Sequence, residues 1–286
     1  MTTALRIAQG NFGRVALLDM DAPLVTHAHS QCHVILKASG ADSAFYVSEE
    51  RLPVTDRTAI LVNAWEPHYF HSEPDFPRTV YLVLYIEPKW LAALHDPLRL
   101  SAHPGFFPRP CVDITPHIRK LADDLIGDML SLIPIAQDKL ETALFDLMLA
   151  ISEQHSAWRE IDGVVRPQGL QLPDSRIQRA ITYIRDNLGR PLDADALAAS
   201  AHLSRAQFFV RFRRATGMTP NVFINTLRTE TACRRLACQD ERINMGRLSE
   251  DLGFSDQAHF TRFIRGHLGV TPSEYRRVVQ VYGDAA

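Results

Sequence analysis

Between residue 11 and about residue 87 the apolar positions come in short runs. Val34-Ile35-Leu36, Ala59-Ile60-Leu61-Val62 and Val80 to Ile86 are broken by Gly, Pro, Asp and Asn. Runs of this length bounded by turn formers predict β-strands, and their regular recurrence predicts a sandwich or barrel. Near residue 113 the period changes. Ile118, Leu121, Leu125, Met129 and Leu132 recur at helical spacing, and Leu140, Leu144, Leu147, Met148 and Ile151 form a second stripe, with Pro134 between them. Two amphipathic helices in a hairpin follow, which either pack on the β-domain or present one face to a second copy of the chain. Residues 154–175 carry two Gly, two Pro and no sustained period, as an interdomain linker does. From Arg176 the pattern is helical almost to the end. The chain thus divides into a β-domain over 1–112, a helical hairpin over 113–155, a linker over 156–175 and an all-α domain over 176–286, an α+β multidomain fold.

The helical region repeats itself with a period of 52 residues. Phe208 recurs as Phe260, Arg213 as Arg265, Gly217 as Gly269, Thr219-Pro220 as Thr271-Pro272 and Phe223 as Tyr275. Each copy has the physics of a helix-turn-helix. In the first, Leu192, Leu197 and Ala198 mark a short helix, His202-Leu203-Ser204 the turn, and Ser204 the N-cap of the next helix. Phe208 and Phe212 stand at i and i+4 on its buried face. In the second, Leu248 and Leu252 lead into Gly253, a residue suited to a left-handed turn, and Ser255 or Asp256 caps the helix bearing Phe260 and Ile264. Pro220 to about Cys238 reads as one helix. At about 27 Å long it would set two such units one turn of DNA apart.

The formal net charge of the 286 residues is −2, an unpromising value for a DNA binder until its distribution is considered. Residues 1–170 hold 14 Lys+Arg against 21 Asp+Glu, a net −7; residues 171–286 hold 17 against 12, a net +5, and all 17 are arginine. Arginine forks suit phosphate oxygens and guanine edges. The four cysteines, Cys32, Cys111, Cys233 and Cys238, form no CxxC pair, which argues against a zinc finger or a disulfide framework. No apolar run approaches the ~20 residues of a membrane span, and no signal-peptide pattern opens the chain, so a cytoplasmic location is expected. Neither a GxSxG elbow nor a phosphate-cradling glycine loop is present, and no enzymatic activity is expected.

The segment GFSDQAHFTRFIRGHLGVTPSEYRR from Gly253 to Arg277, together with LSRAQFFVRFRRATGMTP from Leu203 to Pro220 and Arg228, Ala232 and Leu236 beyond it, resembles the AraC/XylS transcription regulators over residues 176–277. The resemblance implies base-reading positions at Arg205, Ala206, Phe209 and Val210 in the first unit and at Gln257, Ala258, His259 and Arg262 in the second. It implies phosphate contacts from Ser204, Arg213 and Arg265. Val210 is a departure, because Arg262 is its counterpart and family members usually carry arginine at both places. Sequence specificity is therefore expected to lean on the second unit.

Thr26-His27-Ala28-His29-Ser30-Gln31-Cys32-His33, with Gly40 downstream, and Val62-Asn63-Ala64-Trp65-Glu66-Pro67-His68 resemble the two motifs of the cupin fold. The resemblance implies a cupin-like β-barrel that senses a small-molecule effector through His27, His29, His33, Trp65, His68 and Tyr69, with His71 a further candidate. A cupin metal site has glutamate where His33 stands. No cofactor and no metal are expected on this reading, with His27, His29, His33 and His68 as the metal-binding alternative. Expected partners are double-stranded DNA, an effector, RNA polymerase and a second copy in a homodimer, with no membrane. The leading function is an effector-responsive transcription activator. The competing functions are a metal-binding cupin protein or enzyme with appended helices, and a DNA-binding protein whose N-terminal domain only dimerises.

Overall fold

The computed structural model describes residues 2–71, 77–157, 174–238 and 244–283. Residues 158–173, most of the expected linker, lie outside them. The β-domain contributes β1 (Thr3–Gly10), β2 (Gly13–Met20), β3 (Leu24–His27), β4 (Cys32–Gly40), β5 (Ser43–Val47), β6 (Glu50–Val54), β7 (Thr58–Val62), β8 (His68–Phe70), β9 (Thr79–Ile86) and β10 (Cys111–Asp113). Strand structure starts at Thr3, earlier than the apolar pattern indicates. A short helix α1 (Pro88–Leu94) and a 3-10 turn at Asp96–Ala102, neither of them marked by the pattern, follow β9. The hairpin is α2 (Pro116–Leu130) and α3 (Gln137–His155).

Alternation explains why the central strands are continuously apolar. In β2, Val15 and Leu17 face the hairpin while Ala16 and Leu18 face the opposite way; in β9, Leu82, Leu84 and Ile86 oppose Tyr81, Val83 and Tyr85. Both faces of the sheet are covered, so no polar face is left to break the run. The hairpin stripes Ile118, Leu125, Leu140, Leu144, Leu147 and Ile151 are buried in one cluster with Val34, Leu36 and Leu84. They are consumed by the chain's own sheet, which removes them as a surface for a second copy. Leu132, expected on the first stripe, is instead 95% exposed beyond the end of α2.

The C-terminal region holds α4 (Ser175–Asp186), α5 (Ala194–Ser200), α6 (Arg205–Thr216), α7 (Pro220–Ala237), α8 (Met245–Asp251), α9 (Gln257–Leu268), α10 (Pro272–Val278) and a short strand β11 (Val279–Val281). The apolar pattern gives no sign of β11. It pairs in parallel with β1, matching Ile7 to Val279 and Gln9 to Val281, and so completes a sheet ordered β10-β7-β4-β9-β2-β1-β11. The second sheet, β3-β8-β5-β6, packs over the face bearing Ile35, Tyr81 and Val83. That core runs on without a break into Leu248, Phe260, Ile264 and Leu268 of the second helix-turn-helix. The first unit has a separate core around Phe208, Phe212, Ile184 and Phe223. The two repeats therefore differ in their attachment: the second is fused to the β-domain's interior, and the first is nearly self-contained.

Candidate functional site

The two predicted turns form as the sequence dictates. In the first unit, Ser204 caps α6 in a capping box with Gln207, and His202 takes the left-handed conformation (φ 52°) at the turn. In the second, Gly253 takes it (φ 78°), and Asp256 rather than Ser255 caps α9, accepting from the His259 N–H at 2.7 Å. Both long helices stop at left-handed glycines, Gly217 and Gly269. Phe208, Phe212, Phe260 and Ile264 are fully buried, so the opposite face of each helix is turned outward. Arg205, Ala206, Gln257, Ala258, His259 and Arg262 are exposed. Val210 is 70% exposed, a large apolar side chain in open solvent. Phe209 is half-buried against Phe208. Arg211 is held by Asp174 at 3.0 Å, which directs its charge away from that face.

α9 connects two environments. Its first turn is exposed, while its last turn, with His267 and Leu268, is buried beside β3. The connecting helix α7 also lies against the β-domain. Thr226 Oγ1 donates to the Ala28 carbonyl at 2.8 Å, and Glu230 accepts from both the N–H and Oγ of Ser30 at 2.9 Å. Arg14 donates to Cys233 Sγ at 2.8 Å, and Tyr275 Oη donates to Gln9 Oε1 at 2.5 Å. Trp65 stacks on Phe223 with centroids 5.4 Å apart. It does so from a left-handed backbone (φ 64°), a costly conformation for a bulky residue.

Between these contacts lies a cavity of about 400 Å³, walled by Arg14, His27, His29, Tyr85 and Glu87 from the β-domain and by Thr226, Thr229, Glu230 and Cys233 from α7. It is large enough for a small metabolite. The Arg14 guanidinium sits 3.9 Å over the Tyr85 ring. Its neighbours are the neutral Cys233 thiol and the Tyr85 and Tyr275 rings, and among the described residues no carboxylate pairs with it. Burial pushes the Cys233 thiol and the Glu230 carboxyl above their ordinary ranges.

Behind the cavity wall the histidines converge. The rings of His27 and His68 are 4.3 Å apart, His29 and His33 4.7 Å, His29 and His68 4.9 Å, and His33 and His68 5.0 Å. All four are buried. Burial, reinforced by their mutual proximity, lowers the pKa of His33 and His68 to about 3 and holds those of His27 and His29 well below the ordinary value. All four rings are therefore neutral at physiological pH. His267 of α9 approaches His27 at 6.5 Å.

Two family models match this chain: an AraC-like ligand-binding domain over residues 23–151 and a helix-turn-helix domain over residues 197–278. The chain belongs to the AraC family. Among curated relatives, the arabinose operon regulatory protein of Salmonella typhimurium is 27% identical over 225 residues, covering 76% of this chain and 73% of that protein. The MmsAB operon regulatory protein of Pseudomonas aeruginosa is 33% identical over 98 residues. That match spans only 31% of the Pseudomonas protein and 34% of this chain. Among solved structures, an apo form of ToxT from Vibrio cholerae covers 93% of this chain and 97% of its own with a TM-score of 0.53 at 10% identity, a likeness of fold.

Within this AraC-family architecture, the six effector candidates separate. His27 and His29 face the cavity; His33 and His68 stand behind them in the cluster. Trp65 belongs to the contact with Phe223, and Tyr69 stacks on Tyr46 at 4.6 Å; neither lines the cavity. His71 is exposed. Sequence reasoning missed Arg14, Thr226 and Glu230. The last two carried a readable signal. Thr226, Glu230 and Cys233 fall at i, i+4 and i+7 on one face of α7, a polar line that a helix lying free in solvent has no need to bury. Arg14, lone in an apolar strand, had none beyond its isolation.

Proposed function

We propose that this chain is a transcription regulator that reads double-stranded DNA with both helix-turn-helix units and responds to a small anionic effector held between the two domains. The observation that carries it is the double placement of α9, with its first turn exposed for reading and its last turn docked on the sensor domain beside the cavity. An effector contacting Arg14 from the β-domain and Thr229 from α7 has a different free energy when the domains separate, which is the condition for any ligand to shift such an equilibrium. The arabinose operon regulatory protein, which matches over both modules, is a regulator, and this favours the reading over a cupin enzyme with appended helices. Among the described residues no helix is long and apolar enough to cross a membrane.

The proposed base readers are Arg205, Ala206 and Val210 in the first unit and Gln257, Ala258, His259 and Arg262 in the second. Phe209 stands at their edge because half its ring belongs to the core. Val210 suits a thymine methyl, and Arg262 a guanine. Ser204, Arg213 and Arg265 are proposed to hold phosphates. With this reading go a homodimer, RNA polymerase as a partner, activation and a cytoplasmic location.

Arg262→Ala is expected to cost about 1–3 kcal/mol of affinity on the cognate site and to relax preference at one base pair. Gel-shift titrations on single-base operator variants check this. Unchanged discrimination removes Arg262 from the readers.

A further inference from the structure

We propose that His29, His33 and His68 form a binding site for one divalent first-row transition-metal ion of the zinc, cobalt or nickel class, placed where the sensor domain meets the interdomain cavity. The proton of each ring has a defined place. His29 Nδ1 lies 3.1 Å from the Gln31 carbonyl oxygen, His33 Nδ1 2.9 Å from that of Leu84, and His68 Nδ1 2.9 Å from that of Glu66. A carbonyl can only accept, so each Nδ1 carries the hydrogen. In a neutral imidazole the lone pair then sits on Nε2. Three rings are thus fixed in the same tautomer by rigid backbone, the arrangement by which proteins orient imidazole ligands and raise their basicity.

The three rings converge, with centroids 4.7 to 5.0 Å apart. One ligand atom from each of the three residues can be chosen so that all lie within 4.8 Å of the others. His29 Nε2 and His68 Nε2 are buried with no hydrogen-bond partner among the described residues. Converging acceptors that share no proton are costly in a dry interior. A single water could donate to these two; a cation would take the third ring, His33, as well. Metal–nitrogen bonds of about 2.0–2.1 Å put tetrahedral ligand atoms about 3.4 Å apart, so ring rotations that close the nitrogens by up to about 1.4 Å from their 4.8 Å limit bring all three onto one ion.

The donor set is three neutral imidazoles with no carboxylate. That composition favours borderline transition ions over calcium or magnesium, which take oxygen ligands. Three protein ligands leave a coordination position for an outside ligand. His29 belongs both to the cluster and to the cavity wall, so that position is available to an oxygen or anionic group entering from the cavity. His27, its Nδ1 bonded to the Val25 carbonyl at 2.8 Å, stands next to the site as a further nitrogen.

The test uses the untagged full chain, stripped with a chelator and dialysed against Co²⁺ or Zn²⁺. One ion per chain by plasma mass spectrometry, a visible Co²⁺ spectrum of four- or five-coordinate nitrogen ligation, and a rise in Tm with Zn²⁺ that Mg²⁺ does not reproduce are expected. His29→Gln, His33→Gln and His68→Gln should each weaken binding by about 100-fold or more. His117→Gln, on the exposed side of α2, should bind like the parent. Far-UV circular dichroism of the metal-free variants shows which remain folded. Should none fold, the parent's stoichiometry, spectrum and Tm shift decide the matter. Substoichiometric metal in the folded parent overturns the site, as does equal binding by a folded triple variant. DNA binding plays no part in these readouts, so failure of the regulator reading and failure of the metal site are seen separately.

Discussion

Phe260→Ala should lower the unfolding free energy by about 3–5 kcal/mol, the usual cost of deleting a fully buried aromatic ring. Phe260 is fully buried in a core that joins α8 and α9 to both sheets of the β-domain. Its loss should therefore loosen the second helix-turn-helix and the sensor together. Phe208→Ala should cost a similar amount, but in a cluster confined largely to the first unit. Urea unfolding gives the totals, and amide hydrogen exchange shows the location. The expected result is faster exchange in β2 and β9 for Phe260→Ala and little change there for Phe208→Ala. Equal effects on the sheet from both variants would contradict the division into a fused and a nearly independent unit.

Glu230→Ala should cost about 1.5–3 kcal/mol of docking between the domains, because it strips the acceptor from the Ser30 N–H and hydroxyl at once. Glu230→Gln keeps an amide oxygen in place and should cost less. Docking, not helix stability, is what should change, since α7 holds its own backbone bonds. Small-angle scattering should show a larger radius of gyration for Glu230→Ala, and exchange should rise at Ala28 and Ser30. Scattering identical to the parent's would mean that the strand pairing of β1 with β11 and the shared core suffice without this contact.

How much of this was legible beforehand varies with the distance over which the forces act. The turns, caps and buried faces of both helix-turn-helix units are local, and Ser204, Gly253, Gly217 and Gly269 declared them. The hairpin stripes were legible as stripes, but a stripe does not name its partner, and the partner is the chain's own sheet. β11 escaped because three residues, Val279 to Val281, carry no period; only pairing with β1, at the other end of the chain, makes them a strand. The cavity escaped for the same reason. Its walls come from β2, from β3 and the segment after it, from the end of β9 and from α7, and no local pattern links Arg14 to Glu230. The histidine cluster was legible as a set of residues, but its chemistry was not. Tautomers are fixed by the carbonyls of Gln31, Leu84 and Glu66, and where those oxygens point is a property of the folded backbone. Trp65 and Tyr69 show the converse: both are near His68 in sequence, yet their rings are turned to Phe223 and Tyr46 and away from the cavity.

The central claim, a sequence-specific DNA reader with two unequal units, is tested most directly by mapping the DNA bound by the parent protein across its own genome, alongside Arg262→Ala. The predicted map has discrete sites holding two short motifs about 10–10.5 base pairs apart, the better-defined one losing information at a single position in the variant. Binding without a shared motif, or a map that the variant leaves unchanged, would contradict it.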